Sequence, residues 1–365
     1  MSWTSRALIN CAALQHNLNI AKKTAPNSKV LAVIKSNGYG HGITHVAQSL
    51  IAADGFAVAS IQEAILVRKN HPSKTILVLQ GFIDSRELAL FKQYKLNPVI
   101  HSKAQLAILE FSGSKALSSD TVYWFKIDTG MGRLGFAADE CITSLNRLEK
   151  YLNSKSNIIL MSHFANADDI TDKTTNNQIK IFNDIFLNYN YQKTIANSAG
   201  ILGWSESHFD WIRAGIMLYG VSPFNNYEQT YNLQTVMTLE SRLIAINHHK
   251  KGDTIGYGGG WRCPKDMTIG VVSIGYGDGY PRQAKTGTPV IIAGIKTSLI
   301  GRVSMDMICI DLSSIDKIEL GGIVTLWGSD LEGNGLAIEE VAGCANTIAY
   351  ELLCQITKRV ELVYQ

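Results

Sequence analysis

Five short stretches of this sequence carry reactive side chains that apolar packing does not call for. Lys35 is followed by SNGYGHG, Arg133 stands in DTGMGRLG, His163 precedes FANAD, Asn197 and Ser198 lie in ANSAG, and Arg213 opens RAGIMLYG. A lysine amine condenses with aldehydes and, when neutral, takes protons. An arginine fork matches a carboxylate or phosphate bidentately. A serine hydroxyl near glycine-flanked backbone N–H groups suits an anion. Each residue also has an ordinary reading. Lysines at strand ends are mostly solvated, glycines in such runs mostly form turns, and a lone arginine mostly pairs with a nearby carboxylate. The chemical reading needs all five stretches in one place.

Eight short apolar runs, at 30–35, 55–59, 75–79, 97–100, 122–128, 157–163, 194–198 and 211–214, read as strands. Amphipathic stretches such as 43–53, 61–70 and 176–187 separate them, the last with Ile179, Phe182, Ile185 and Phe186 along one helical face. Strands alternating with helices pair in parallel, and eight such units predict an α/β fold with a closed (β/α)8 TIM-like barrel. The competing open, doubly wound sheet normally carries GxGxxG after its first strand, and none stands there. The C-terminal strand ends of a barrel converge on one mouth. Lys35, Arg133, His163, Ser198 and Arg213 sit at or just past five of those ends, so they are expected to face one cavity.

Beyond residues 219–223 the texture changes. Expected strands at 235–246, 267–274, 289–292, 307–311 and 323–326 are separated by glycine-rich turns, with a short helix near 338–345. Residues 1–228 are expected to form the barrel and 229–365 a mostly β domain, joined through the polar segment 222–232.

Barrels commonly bind phosphate in the loops after strands seven and eight. Here those loops offer the Ser198 hydroxyl and the backbone of Gly215 and Ile216, and no nucleotide P-loop signature is present. Strand eight neighbours strand one in a closed barrel, so Lys35 stands near that phosphate locus. A cofactor with an aldehyde and a phosphate matches both: pyridoxal 5'-phosphate, attached through Lys35.

The bulk properties exclude other classes. Lysines and arginines are scattered and the net charge is only +3, so neither nucleic acid nor an anionic membrane is an expected partner. There is no 18-residue apolar run, and no charged segment followed by a long apolar one at the start, which predicts a cytoplasmic location. Cys11, Cys141, Cys263, Cys309, Cys344 and Cys354 are widely spaced, without CxxC, and read as reduced thiols with no metal site.

The segments AVIKSNGYGHG, FKIDTGMGRLGF, SHFANAD, NSAG, RAGIMLYG, DTIGYGGGW, SIGYGDGY, GRVSMDM and AYELLC resemble, in order and over essentially the whole chain, the alanine racemase family. The resemblance implies a homodimer with shared active sites, a pyridoxal phosphate barrel with a C-terminal β domain, and interconversion of L- and D-alanine that supplies D-alanine for peptidoglycan. It implies that Lys35 holds the cofactor and is one base, and that Tyr257, from the partner subunit, is the other. Tyr39, Ser198, Tyr350 and the backbone of Gly215 and Ile216 are implied around the phosphate, with His163 and Arg213 behind the ring. Arg133 and the backbone of Met305, the latter from the partner, are implied at the substrate carboxylate, with Tyr276 at the entrance. Some members carbamylate the lysine matching Lys126, which then orients Arg133. Ser36 and Gly38 depart from the alanines of many members, and GYGGG is richer in glycine than usual.

Racemisation removes a proton from one face of a carbon and returns one to the other, so two opposed bases are the simplest solution. Arg213, as a permanent cation, donates a hydrogen bond to a pyridine nitrogen but hardly a proton, which makes the ring a weaker electron sink and disfavours transamination. Rival readings are a decarboxylase on the same barrel, which expects a separate glycine-rich phosphate loop and a donated cysteine and aspartate, and a non-catalytic cofactor-binding barrel, which lacks the second domain. A racemase of broader preference, such as for serine, stays open.

Overall fold

The computed structural model describes residues 5–152, 157–224, 231–329 and 333–365. Eight parallel strands, Lys29–Val33, Gly55–Val58, Thr75–Val78, Asn97–Ile100, Tyr123–Lys126, Ile158–Met161, Gln192–Thr194 and Trp211–Ala214, close into a barrel. Their inner faces pack on each other and their outer faces on helices, which is why they read as nearly continuous apolar runs. The first and eighth strands close the ring, with Leu31 opposite Arg213 and Ala32 opposite Ala214. The expected α/β barrel is the one observed.

Helices begin where the sequence supplies caps. Ser60 and Glu63 form a reciprocal capping box ahead of Ile61–Asn70. Asp84 and Ser102 accept from the N–H groups of Glu87 and Gln105 at the starts of the next two helices, Ser85–Gln93 and Lys103–Ser112. The strands stop earlier than their apolar runs suggest. The first ends at Val33 and the sixth at Met161, so Lys35 and His163 lie just beyond the ladder, where the chain turns over the mouth. The seventh is shifted furthest: Ser198 opens the short helix Ser198–Gly203.

The second unit is a nine-stranded sheet in the order Gly335–Leu336, Ile323–Ser329, Pro289–Ile292, Ile295–Ile300, Ile308–Asp311, Met267–Val272, Met237–His249, Arg6–Ile9 and Glu361–Tyr364. Met237–His249 also pairs with Ile323–Ser329, which closes six of these strands into a ring of pairings. Arg6–Ile9 was not expected as a strand. It runs antiparallel to Met237–His249 and parallel to Glu361–Tyr364, so residues 6–9 lie inside the second unit's sheet. Of the expected junction 222–232, residues 225–230 lie outside the described residues.

The two units meet at the barrel mouth. Gly40 has φ 83°, and a Cβ there would come 2.0 Å from the carbonyl oxygen of Leu353. Glycine is required by both the left-handed backbone and the close approach. The Tyr364 hydroxyl donates to the His41 carbonyl at 3.2 Å. This contact seats the helix Ala349–Cys354 against the loop after the first barrel strand, carrying Tyr350 and Cys354 to the mouth.

Candidate active site

A cavity of about 560 Å³ opens at the C-terminal mouth of the barrel. Its lining includes Lys35, Tyr39, Lys126, Arg133, His163, Ser198, Arg213, Gly215, Ile216 and Tyr350. Ten residues from five strand ends, the first loop and the second unit thus converge. Tyr257, Met305 and Tyr276 do not join them within one chain. They are 72%, 53% and 39% exposed on the second unit. Tyr257 borders a separate cavity of about 350 Å³, with Arg282, Lys285 and Arg302.

Lys35 begins a strained turn. Ser36, Asn37, Gly38 and Tyr39 all have positive φ, at 55°, 55°, 64° and 51°. Left-handed backbone costs L-residues roughly 1–2 kcal/mol each, so the surroundings must hold it. Asn37 N–H donates to Glu63 Oε1 at 3.1 Å, and Ile43 N–H donates to Asn37 Oδ1 at 3.0 Å. The other oxygen of Glu63 accepts from Ala59 N–H at 3.0 Å. Glu63 therefore ties the turn to the end of the second strand as well as capping its own helix. Burial lowers the pKa of the Lys35 amine, and the Arg133 guanidinium lowers it further, against raising contributions from Cys354 and Glu63. The net effect favours the neutral form of the amine relative to a free lysine.

In the same cavity, Ser198 Oγ accepts from the N–H groups of Gly215 and Met217 at 3.0 and 3.3 Å, leaving its hydroxyl hydrogen free to donate elsewhere. A Cβ on Gly215 would stand 3.0 Å from the Tyr39 hydroxyl. The Tyr39 and Tyr350 rings are 6.2 Å apart, and burial raises both phenol pKa values, so both stay protonated donors. Hydroxyls and open backbone thus make a cradle that any residue larger than glycine at 215 would crowd.

Arg213 is 3% exposed. Its Nη1 donates to Thr194 Oγ1 at 2.7 Å, and its Nη2 donates to the carbonyls of Ser162 and Ile195 at 2.7 and 3.0 Å and to His163 Nδ1 at 3.1 Å. Its Nε–H has no acceptor among the described residues. Burial lowers its pKa to about 9, which still leaves it cationic at neutral pH. Burial, and then Arg213, also depress Lys126, to about 8.

The residues fit pyridoxal phosphate: an amine for the aldehyde, a donor cradle for the phosphate, and a buried N–H donor without a partner for the ring nitrogen. Sequence reasoning missed Glu63, and it missed Cys354, which lines the cavity beside Lys35 and Ser36. The reciprocal Ser60–Glu63 spacing was a readable signal for the first; none marks the second. Among the described residues no cluster of metal-ligating side chains exists, all six cysteines are free, and no helix is long and apolar enough to cross a membrane.

Such a mouth defines a (β/α)8-barrel enzyme that handles a small carboxylate with the help of a phosphate-bearing carbonyl cofactor. Comparison with known proteins narrows the class. A family model of the alanine racemase N-terminal domain matches residues 9–223, and one of the alanine racemase C-terminal domain matches 236–364. The chain is 44% identical to the alanine racemase of Aeromonas hydrophila over 359 residues, 98% of each chain. It is 42% identical to the biosynthetic alanine racemase of Escherichia coli, again over 98% of each. The crystal structure of the biosynthetic enzyme from Pseudomonas aeruginosa superposes with a TM-score of 0.94 at 38% identity and 100% coverage of both chains. The alanine racemase of Bartonella henselae, solved with covalently bound pyridoxal phosphate, gives 0.89 at 27% identity and 99% coverage of both. The chain belongs to the alanine racemase family.

Proposed function

We propose that the chain interconverts L- and D-alanine with pyridoxal 5'-phosphate, and that Lys35 and Tyr257 of two different subunits are the opposed bases. The observation that carries this reading is the meeting of Lys35, Arg133, Ser198 and Arg213 in one cavity of a chain that matches the family end to end. The domains divide near residue 228, with the barrel before it and the β unit after it, save that the strand Arg6–Ile9 completes the second unit's sheet.

Ser198, Tyr39, Tyr350 and the backbone of Gly215 and Ile216 would hold the phosphate, and Lys35 would hold the aldehyde carbon. Arg213 Nε–H would be the donor available to the ring nitrogen, with His163 beside it. When bound, the cofactor supplies an electron sink that acidifies the α-hydrogen of the substrate. Arg133 and the Met305 backbone grip the substrate carboxylate, fixing which bond stands between the bases. Lys35 Nζ moves the proton on one face and the Tyr257 phenol oxygen on the other. The exposure of Tyr257, Met305 and Tyr276 on the second unit supports a homodimer in which each unit completes its neighbour's site. Lys126 would orient Arg133 only in its carbamylated form, since the free amine and the guanidinium are like charges that repel. D-alanine for peptidoglycan and a cytoplasmic location follow from the family reading, with no nucleic acid or membrane partner.

Loss of optical rotation from L-alanine without release of carbon dioxide, dependent on added pyridoxal phosphate, is the expected result. Carbon dioxide release instead would favour the decarboxylase reading. Equal rotation loss from L-serine would broaden the substrate.

A further inference from the structure

Arg133 reaches the cavity without side-chain support: among the described residues its guanidinium makes no hydrogen bond or ion pair. Its placement falls to its backbone. The loop 128–136 is pinned at both ends, since Asp128 N–H donates to the Phe136 carbonyl and Phe136 N–H to the Lys126 carbonyl, each at 2.9 Å. Its root is locked from the side by three buried residues. Thr129 Oγ1 and Ser162 Oγ are 2.8 Å apart, and Gln178 Nε2 donates to Thr129 Oγ1 at 3.2 Å and to the His163 carbonyl at 3.0 Å. The arm between root and return is held differently. Asp128 Oδ1 accepts from the N–H groups of Gly130, Met131 and Gly132 at 2.9, 2.9 and 3.1 Å. The chain can wind about that single oxygen because Gly130 and Gly132 take φ values of 133° and 70°.

We propose that Asp128 is a positioning residue for the reaction: its Oδ1 gathers the backbone of 130–132 and so aims the Arg133 guanidinium at the substrate carboxylate. Burial pushes the Asp128 carboxyl up, but the backbone N–H groups of 130–133 outweigh it and hold it below the usual carboxylate range. The acceptor therefore stays ionised wherever the enzyme works. Without it the three donors turn to water, and a guanidinium on a three-carbon stem samples many directions. The proposal rests on the reading of Arg133 as the carboxylate grip.

The test compares Asp128→Ala, Asp128→Asn, Arg133→Ala and the double variant Asp128→Ala/Arg133→Ala as loaded enzymes. Asp128→Ala should raise KM for L-alanine on the order of ten- to a hundredfold, with a smaller change in kcat and unaltered affinity for pyridoxal phosphate. Asp128→Asn keeps an acceptor oxygen and should recover most of that loss. In the Arg133→Ala background, Asp128→Ala should add little, because the group it aims is gone. An unchanged KM in Asp128→Ala, an Asp128→Asn variant as impaired as the alanine, or full additivity in the double variant would each overturn the proposal. If Arg133→Ala itself leaves KM unchanged, the reading of Arg133 fails, which is a separate outcome.

Discussion

Arg213 Nη2, whose two hydrogens are shared among the Ser162 and Ile195 carbonyls and His163, lies 3.1 Å from Nδ1 of that histidine. A guanidinium has no lone pair to offer, so Nδ1 is the acceptor and the imidazole carries its proton on Nε2. Burial lowers the His163 pKa strongly, and Arg213 and Lys126 add to it. The histidine is consequently neutral and cannot serve as a proton store for either base.

This predicts that His163 does not titrate in the native enzyme. In protein labelled with nitrogen-15, its ring signals should hold one neutral tautomer through the window in which a free imidazole titrates. A midpoint inside that window would refute the assignment.

The pH dependence of turnover should follow the charges around Lys35. The amine acts as a base only when neutral, so kcat in the direction where Lys35 takes the proton rises as pH climbs through its pKa. Glu63 raises that pKa and Arg133 lowers it. Glu63→Gln should move the acid limb to lower pH, and removing the Arg133 charge should move it to higher pH. Shifts of the opposite sign in saturating alanine would reject Lys35 as the group observed.

Mixed dimers test whether the bases come from two subunits. A subunit with Lys35→Ala and one with Tyr257→Phe are each inactive in that base alone. A mixed dimer regains one intact site, so random mixing of equal amounts should restore about a quarter of native activity. No recovery, with exchange of subunits verified by mass, would place both bases in the same chain.

Ser198→Ala should loosen the cofactor while sparing the fold. The change removes a phosphate donor and leaves the N–H groups of Gly215 and Met217 without their acceptor. Loss of a bond to a charged group is worth about 1.5–3 kcal/mol, so the Kd for pyridoxal phosphate, read by absorbance titration, should rise on the order of tenfold or more. An unchanged Kd would remove Ser198 from the cradle.

The barrel was legible because its strands are buried on both faces and its helices on one, so the two hydrophobic periods alternate along the sequence. Lys35, His163 and Arg213 were found by asking what polar residues do at the ends of such runs. Arg6–Ile9 was not, since four residues carry too little pattern and their partners lie more than two hundred positions away. Tyr257 and Met305 show the limit of the same method: periodicity says which face is apolar, never which other surface it meets. Their roles came from motif resemblance, and within one chain they stand apart from the cavity. Glu63 and Asp128 act on backbone N–H groups, which no residue type advertises. Their local signals were nonetheless present, as Ser60 three residues before Glu63 and as Asp128 ahead of two glycines.

The strand Arg6–Ile9 sits between Met237–His249 and Glu361–Tyr364. A fragment beginning after residue 230 would lack that strand, leaving two neighbouring edges with unsatisfied donors and acceptors, while the severed barrel would carry an orphaned extended segment able to pair with any such edge. Attempts to express the halves separately should therefore yield aggregates or strand-exchanged species, and a short peptide spanning 5–10 added in trans is the natural rescue for the C-terminal piece.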